Sequence, residues 1–224
     1  METQTKTAII LGATGLTGGI LLQLLLNDNR YNRIKLFSRS TIGFAHEKME
    51  EHLGDLMNLD QFKDHFQGEE VFCCIGTTKS KTPNKEQYRT IDYGIPVSAA
   101  KLCNQNNIST FVVVSAMGAN AKSSVFYNRV KGEMEDAVLD AKITETYFLQ
   151  PSLIGGKRNE KRVGEWLFKQ FMKVVNLVLA GPLEKYRSIK PETIAKAMVW
   201  LANNEYKTNR IESDIIKKIA AKSD

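Results

Sequence analysis

The chain has 224 residues, of which 42% are hydrophobic, and a formal net charge of +6 at pH 7. This length favours one domain with a sizeable core, and the longest apolar runs, 19–26 and 172–180, are too short to cross a bilayer. The excess basic residues are interspersed with acidic ones in the second half of the chain and lack interleaved aromatic residues, so we expect no nucleic-acid partner.

The cysteines and the N-terminal residues bear on the cellular compartment. Cys73, Cys74 and Cys103 do not have the spacing of metal ligands, and the first two lie in an apolar run. Residues 1–7 lack the charged region and the cleavage site of a signal peptide. We therefore expect a cytoplasmic protein with no bound metal and no membrane segment.

Apolar β-rich runs alternate with amphipathic helical segments, which is typical of a parallel sheet covered on both faces. The predicted strands are 7–11, 33–38, 51–54, 70–74, 110–115 and 145–149, with a short late strand near 187–189. The predicted helices are 17–27, 59–66, 94–106, 124–140, 164–178 and 191–203. This pattern predicts a single doubly wound α/β domain of the Rossmann type over residues 1–224, with substrate loops mainly from 150–190.

A glycine-rich turn follows the first strand and leads into an apolar helix. Its sequence is Gly12-Ala13-Thr14-Gly15-Leu16-Thr17-Gly18. Glycine lets the backbone approach a pyrophosphate without Cβ clashes, and a helix start offers free N–H groups and a positive dipole end to the anion. The turn predicts dinucleotide binding by Gly12, Thr14, Gly15, Leu16, Thr17 and Gly18, the alternative being a plain tight turn.

The end of the second strand indicates which dinucleotide is bound. An acid usually stands there to bind the ribose hydroxyls of NAD, but there is no Asp or Glu between Asn29 and His46. The strand ends instead in Ser38-Arg39-Ser40. A guanidinium beside hydroxyls suits a 2′-phosphate, so we predict that NADP(H) is preferred over NAD(H), with Ser38 and Arg39 as contacts. The alternative is a solvent-exposed loop arginine.

Two further strand ends carry candidate contacts for the adenine or ribose. Asp55 and Leu56 follow the third strand, and Gly76, Thr77 and Thr78 follow the fourth. The carboxyl ends of parallel strands form the ligand crevice in this fold. Asp55 is equally suited to cap the helix that starts near Leu59.

Three residues form the candidate catalytic set. Ser115 ends the fifth strand, and Tyr127 and Lys131 follow at a spacing of i, i+4, which places both on one helix face. A nearby ammonium lowers the pKa of a phenol, so Tyr127 can exchange a proton with a carbonyl oxygen. Ser115 can hydrogen-bond the same oxygen. The alternative for the pair is ordinary packing and a solvated charge.

The sequence resembles the atypical short-chain dehydrogenases of the Tat-interacting-protein (oxidoreductase) type. The resemblance runs from about residue 7 to about residue 201 and rests on the glycine turn, the segments 74–78 and 115–119, the Tyr127/Lys131 pair and Gly164-Glu165-Trp166-Leu167. It implies cofactor contacts from the glycine turn, Arg39, 76–78, Tyr127 and Lys131, with Lys131 holding the nicotinamide ribose. Members of this family have also been described as regulatory or partner-binding proteins.

The resemblance also concerns three other positions. Gln150-Pro151-Ser152 follows the sixth strand, where many relatives carry an arginine before the proline, and Pro151 is counted with the cofactor-binding residues. Asp92 stands where relatives have Asn or Asp in the helix under the site. We expect it either to support the site from beneath or to cap the helix that begins near Gly94.

These observations favour an NADP(H)-dependent oxidoreductase that transfers a hydride to or from a small carbonyl or alcohol substrate. The alternative is a dinucleotide-sensing regulatory protein, which needs the glycine turn and Arg39 but has no use for Tyr127. A basic loop at 155–162, with Lys157, Arg158, Lys161 and Arg162, favours an anionic or polar substrate if it overhangs the site. The alternative is a solvated surface loop. Substrate identity and oligomeric state do not follow from the sequence.

Overall fold

The computed structural model describes residues 5–155 and 185–223 and contains a parallel sheet with helices on both faces. The sheet has seven strands in the order β3-β2-β1-β4-β5-β6-β7. Their bounds are β1 Lys6–Leu11, β2 Tyr31–Ser38, β3 Met49–Leu53, β4 Glu70–Cys73, β5 Thr110–Val114, β6 Glu145–Gln150 and β7 Arg210–Glu212. The predicted doubly wound Rossmann fold is therefore confirmed.

The helices of the described part of the chain connect these strands. Their bounds are α1 Leu16–Leu26, α2 Lys85–Arg89, α3 Ile95–Gln105, α4 Phe126–Leu139, α5 Pro191–Ala202 and α6 Ser213–Ala220. A short 3-10 helix spans Leu59–Phe62, and a π-helical turn spans Thr90–Gly94 between α2 and α3. Across residues 5–155 and 185–223, none of the helices combines the length and the apolar character that crossing a membrane requires.

Alternating side chains of the central strands build two separate cores. Ala8 and Ile10 of β1 pack in the cluster that contains α1, α5 and α6. Ile9 and Leu11 point to the other face and pack with α3, α4 and the 3-10 helix. Since successive strand residues face opposite sides, the apolar run of β1 is buried on both faces, as a central parallel strand requires.

The strand order places a ligand crevice at one point of the sheet edge. From β1 the chain first adds β2 and β3 on one side and then moves to β4 on the other side. This reversal leaves a gap outside the carboxyl ends of β1 and β4, which is where open α/β sheets bind ligands. The glycine turn after β1 and the 74–78 segment after β4 border this gap.

Several predicted elements differ from the observed ones. The late strand at 187–189 is a single bridge between Ile154 and Ile189, and the seventh strand lies instead at Arg210–Glu212. Only Ile211 is buried in that short strand, so its alternation is too brief to recognise. Of the predicted helix 59–66, only Leu59–Phe62 is helical. The predicted helix 164–178 lies outside the described residues.

Candidate active site

The glycine turn after β1 has the shape that a pyrophosphate needs. Gly12 has a φ of +88°, and a Cβ there would lie 3.1 Å from the backbone of Cys74. At Gly18 a Cβ would lie 2.2 Å from the carbonyl oxygen of Gly12. A side chain at Gly18 would therefore collide with the backbone that shapes the turn, and one at Gly12 would be crowded and held at an unfavourable φ.

The start of α1 is available to an anion. Gly15 precedes the helix, no side chain caps its first turn, and that turn contains no acidic residue. Thr14 and Gly15 are exposed, whereas Thr17 is buried under the turn. Uncapped N–H groups and the positive dipole end attract a phosphate. The residues present therefore fit a dinucleotide pyrophosphate at this position.

The segment after β2 leaves Arg39 as the principal candidate for a 2′-phosphate. The Ser38 hydroxyl donates to the carbonyl oxygen of Ser40 at 2.7 Å, so its single proton is used within the loop. The hydroxyl of Thr41 is also used within the protein, because it donates to Glu51 of β3 at 2.8 Å, and the same carboxylate accepts from the Ile42 N–H at 2.7 Å. Arg39 itself is exposed at the carboxyl end of the sheet.

The residues after β3 take two different positions. Asp55 is exposed, and its Oδ1 accepts from the Met57 N–H at 2.9 Å, so it closes a turn and does not cap the 3-10 helix, which follows Asn58. Leu56 is 5% exposed and packs in the core. Any contact of Leu56 with an adenine would therefore come mainly from its backbone.

The segment after β4 connects the cofactor crevice to α4. A Cβ added at Gly76 would lie 3.5 Å from Asp92 Oδ1 and 3.9 Å from Lys131 Nζ. The Thr77 N–H donates to Asp92 Oδ2 at 2.8 Å, and the hydroxyls of Thr77 and Thr82 are 2.9 Å apart. The predicted contacts Gly76, Thr77 and Thr78 therefore lie beside a charged pair that joins two helical segments.

That charged pair consists of Lys131 and Asp92. Lys131 Nζ lies 2.9 Å from Asp92 Oδ1, and the two side chains are 3% and 1% exposed. Burial lowers the pKa of Lys131, but Asp92 and Tyr127 raise it by more, so the net shift is upward. Asp92 lies in the π-helical turn, and no side chain caps α3. It supports the site from beneath and is not the alternative helix cap.

Tyr127 lies in the first turn of α4, one helical turn before Lys131. It is 39% exposed. Its ring is packed edge-on against Tyr88, with ring centroids 6.2 Å apart. Tyr88 is buried, and burial together with Asp92 and Tyr127 raises the pKa of its phenol.

Ser115 follows β5 and is 4% exposed. Its hydroxyl donates to Glu135 Oε1 at 2.5 Å. The same carboxylate accepts from Gln150 and from Arg210. The structure therefore brings Tyr127 and Lys131 together at the crevice but connects the Ser115 hydroxyl to a buried network behind it.

Sequence reasoning missed Glu135 and Arg210. Glu135 lies four residues after Lys131, so helical spacing alone puts it on the same face and could have identified it. Arg210 gave no such signal, because β7 was not predicted. Pro151 is buried beyond β6, and its carbonyl oxygen accepts from the Met117 N–H at 3.0 Å, which joins the two segments that follow β5 and β6.

The fold and the site define a class of protein. A glycine turn opens a helix at the reversal of the strand order, and a helix beside the crevice carries an accessible tyrosine and a buried, carboxylate-paired lysine. This combination is characteristic of a dinucleotide-binding Rossmann domain.

Comparison with known proteins identifies the family. Residues 12–153 match the family described as NAD(P)H-binding, and the chain belongs to that family. Protein HTATIP2 of Rattus norvegicus is 33% identical over 172 residues, which cover 75% of this chain and 71% of the relative. The resemblance to the Tat-interacting-protein type is therefore confirmed.

A second relative and a solved structure agree with this assignment. The protein named FMP52, mitochondrial, of Meyerozyma guilliermondii is 32% identical over 218 residues, covering 93% of this chain and 90% of the relative. The Bordetella bronchiseptica enzyme WbmH, solved with NAD+, has a TM-score of 0.69 at 13% identity and covers 93% of this chain and 75% of its own. That likeness shows the fold. The name of the second relative places that protein in mitochondria, so a cytoplasmic location for this chain stays a prediction.

Proposed function

We propose that this chain is an NADP(H)-dependent oxidoreductase that reduces a small carbonyl compound or oxidises the corresponding alcohol. One observation carries the proposal: the buried Lys131–Asp92 pair lies against Gly76 of the cofactor crevice and one helical turn from an exposed tyrosine. A structural helix has no need of a buried ion pair at its ligand-facing edge, because such pairs stabilise a fold weakly. A catalytic site needs a fixed cation beside the proton donor.

The residues of this chain supply the proton and stabilise the group that donates it. A bound nicotinamide would supply or receive the hydride. Tyr127 donates its hydroxyl proton to the carbonyl oxygen in the direction of reduction and recovers a proton in the direction of oxidation. The Lys131 ammonium stabilises the phenolate that Tyr127 becomes, and Asp92 keeps Lys131 charged and fixed at 2.9 Å.

Asp92 also couples the catalytic helix to the cofactor crevice. Its second carboxylate oxygen accepts from the Thr77 N–H, so one buried carboxylate orients both Lys131 and the segment that would face the ribose. A second ion pair, between Arg89 of α2 and Glu133 of α4, also joins α4 to its neighbours. The Asp92 contacts hold α4 against the 76–78 segment, and proton transfer beside a bound cofactor needs this alignment.

The cofactor preference gives the first prediction. NADPH is expected to bind more tightly than NADH, and Arg39→Asp is expected to weaken NADPH binding by about 2–3 kcal/mol, since a charge-assisted hydrogen bond to phosphate is lost. Fluorescence titration of both reduced cofactors measures this. Arg33→Asp is the matched control, because Arg33 is an exposed arginine near the start of β2, whereas Arg39 follows the end of that strand. Equal affinities for NADPH and NADH in the unmodified chain would rule out the assignment of Arg39.

A substrate screen tests the proposed reaction itself. The chain with NADPH is expected to consume the cofactor when given members of a panel of small aldehydes and ketones, half neutral and half carboxylated. Faster turnover of the carboxylated members would support the anionic substrate expected from residues 157–162, which lie outside the described residues. Faster turnover of the neutral members would contradict the expectation of an anionic substrate. NADPH binding without consumption on any member would support the sensing alternative and defeat the oxidoreductase.

We also propose the cytoplasm as the location of the protein. The three cysteines are free, two of them buried, which suits a reducing compartment. Fractionation of cells that express the tagged chain distinguishes the cytoplasm from mitochondria, the location that the name of the second relative gives for that protein.

A further inference from the structure

Glu135 is a buried carboxylate that the proposed proton transfer does not use. It is 0% exposed and lies on α4, one turn after Lys131. Its oxygens accept from the Ser115 hydroxyl at 2.5 Å, from Gln150 Nε2 at 2.9 and 3.1 Å, and from Arg210 Nε at 2.7 Å. These donors are the residue after β5, the last residue of β6 and the first residue of β7, so the carboxylate joins α4 to three neighbouring strands.

The charge of this network is balanced by Arg210 of β7. A carboxylate buried without a cation or several donors is strongly unfavourable. Gln150 is neutral, so among the donors to Glu135 in the described part of the chain Arg210 alone carries a positive charge. Burial lowers the pKa of Arg210, but Glu135 and Asp136 raise it by more, so the guanidinium stays charged. Its Nη2 also lies 2.7 Å from Asp136 Oδ1 at the surface.

The network determines the direction of the Ser115 proton. A serine hydroxyl has one donor hydrogen and two acceptor lone pairs, and here the hydrogen is directed to Glu135. A hydrogen bond to a carboxylate is about twice as strong as one between neutral groups. In this arrangement Ser115 can offer only a lone pair to a ligand.

We propose that Glu135 and Arg210 are positioning residues for Ser115. Arg210 supplies the positive charge from β7, and Glu135, balanced in this way, fixes Ser115 as a hydrogen-bond acceptor. The proposal rests on the proposed function in taking Ser115 to face the bound ligand. It leaves the proton transfer to Tyr127, while the Ser115 oxygen keeps a lone pair for a hydrogen-bond donor of that ligand.

The test moves the positive charge between strands. In Arg210→Met the charge is removed, and in the double variant Arg210→Met with Gln150→Arg it is returned from β6. Glu135 and Arg210 line a cavity of about 270 Å³, and the shorter side chain of Arg210→Met leaves further space beside the carboxylate. Asp136→Asn is the matched control, because it removes the exposed partner of Arg210 and leaves the buried partner in place. Arg210 is 44% exposed, so the single variant is expected to fold.

The first readout does not need turnover. The carboxyl carbon resonance of Glu135 at pH 7 is expected to keep nearly the same position in the unmodified chain, in Asp136→Asn and in the double variant. In Arg210→Met it is expected to move, because the carboxylate loses its guanidinium partner, and the Tm is expected to be lower by roughly 3–6 °C. An unchanged resonance in Arg210→Met would overturn the proposal, even if the Tm fell. Arg210 would then stabilise the fold only through its contact with Asp136 at the surface.

The second readout is the rate on whichever carbonyl compound is turned over fastest. Arg210→Met is expected to lower kcat on the order of tenfold with the KM for NADPH changed by less than about twofold, and Gln150→Arg is expected to restore the rate. A kcat that stays low in the double variant while the resonance recovers would overturn the role in catalysis. If the unmodified chain turns over nothing, the proposed reaction fails, while the resonance still decides whether Arg210 balances Glu135.

Discussion

Tyr127→Phe is expected to lower kcat for carbonyl reduction by about 10²–10⁴-fold while NADPH affinity changes little, since only the proton-donating hydroxyl is removed. The ring remains, so its edge contact with Tyr88 is kept. Steady-state rates and a fluorescence titration of NADPH measure the two effects separately.

The control for this variant is Tyr206→Phe. Tyr206 packs against Trp200, away from the Lys131–Asp92 pair, so loss of its hydroxyl is expected to leave kcat unchanged. Near-full activity of Tyr127→Phe would remove Tyr127 from the role of acid. A loss of NADPH binding that matched the loss of rate would mean that the hydroxyl mainly contacts the cofactor.

Lys131→Met is expected to impair stability, cofactor binding and turnover together. It leaves the Asp92 carboxylate buried and without its cation, and breaking a buried pair in this way costs about 3–5 kcal/mol of unfolding free energy. The rate is expected to fall as well, because the phenolate of Tyr127 loses its stabilising charge. Chemical denaturation, NADPH titration and kcat provide the three measurements.

A double variant separates these effects. Lys131→Met with Asp92→Asn removes both charges, so most of the lost unfolding free energy is expected to return. Turnover is expected to stay low, because no ammonium faces Tyr127. Recovery of kcat along with stability would show that Lys131 acts only through the fold and has no part in the chemistry.

The parts of the site that the sequence predicted are local along the chain. The turn from Gly12 to Gly18 follows a strand directly, and Tyr127 and Lys131 are one helical turn apart, so periodicity alone places them. The doubly wound order follows from the alternation of apolar strands and helices. These features need no knowledge of how distant segments pack.

The remaining features depend on contacts between distant segments. Asp92 and Lys131 are separated by α3 and β5, so only the packed structure shows their ion pair. Arg210 reaches Glu135 from a strand of three residues that carries one buried side chain, a pattern too short to predict. The Ser115 hydroxyl is directed toward Glu135 on the following helix, and this contact too is visible only in the packed structure.

The crystal structure of the chain with NADP+ tests the central claim most directly. The account predicts a pyrophosphate at the uncapped start of α1 beside Gly15, a 2′-phosphate within hydrogen-bond distance of Arg39, and a nicotinamide ribose within reach of Lys131 Nζ. Tyr127 would then face the nicotinamide ring. A dinucleotide bound away from the glycine turn, or one whose nicotinamide end points away from Tyr127 and Lys131, would contradict it.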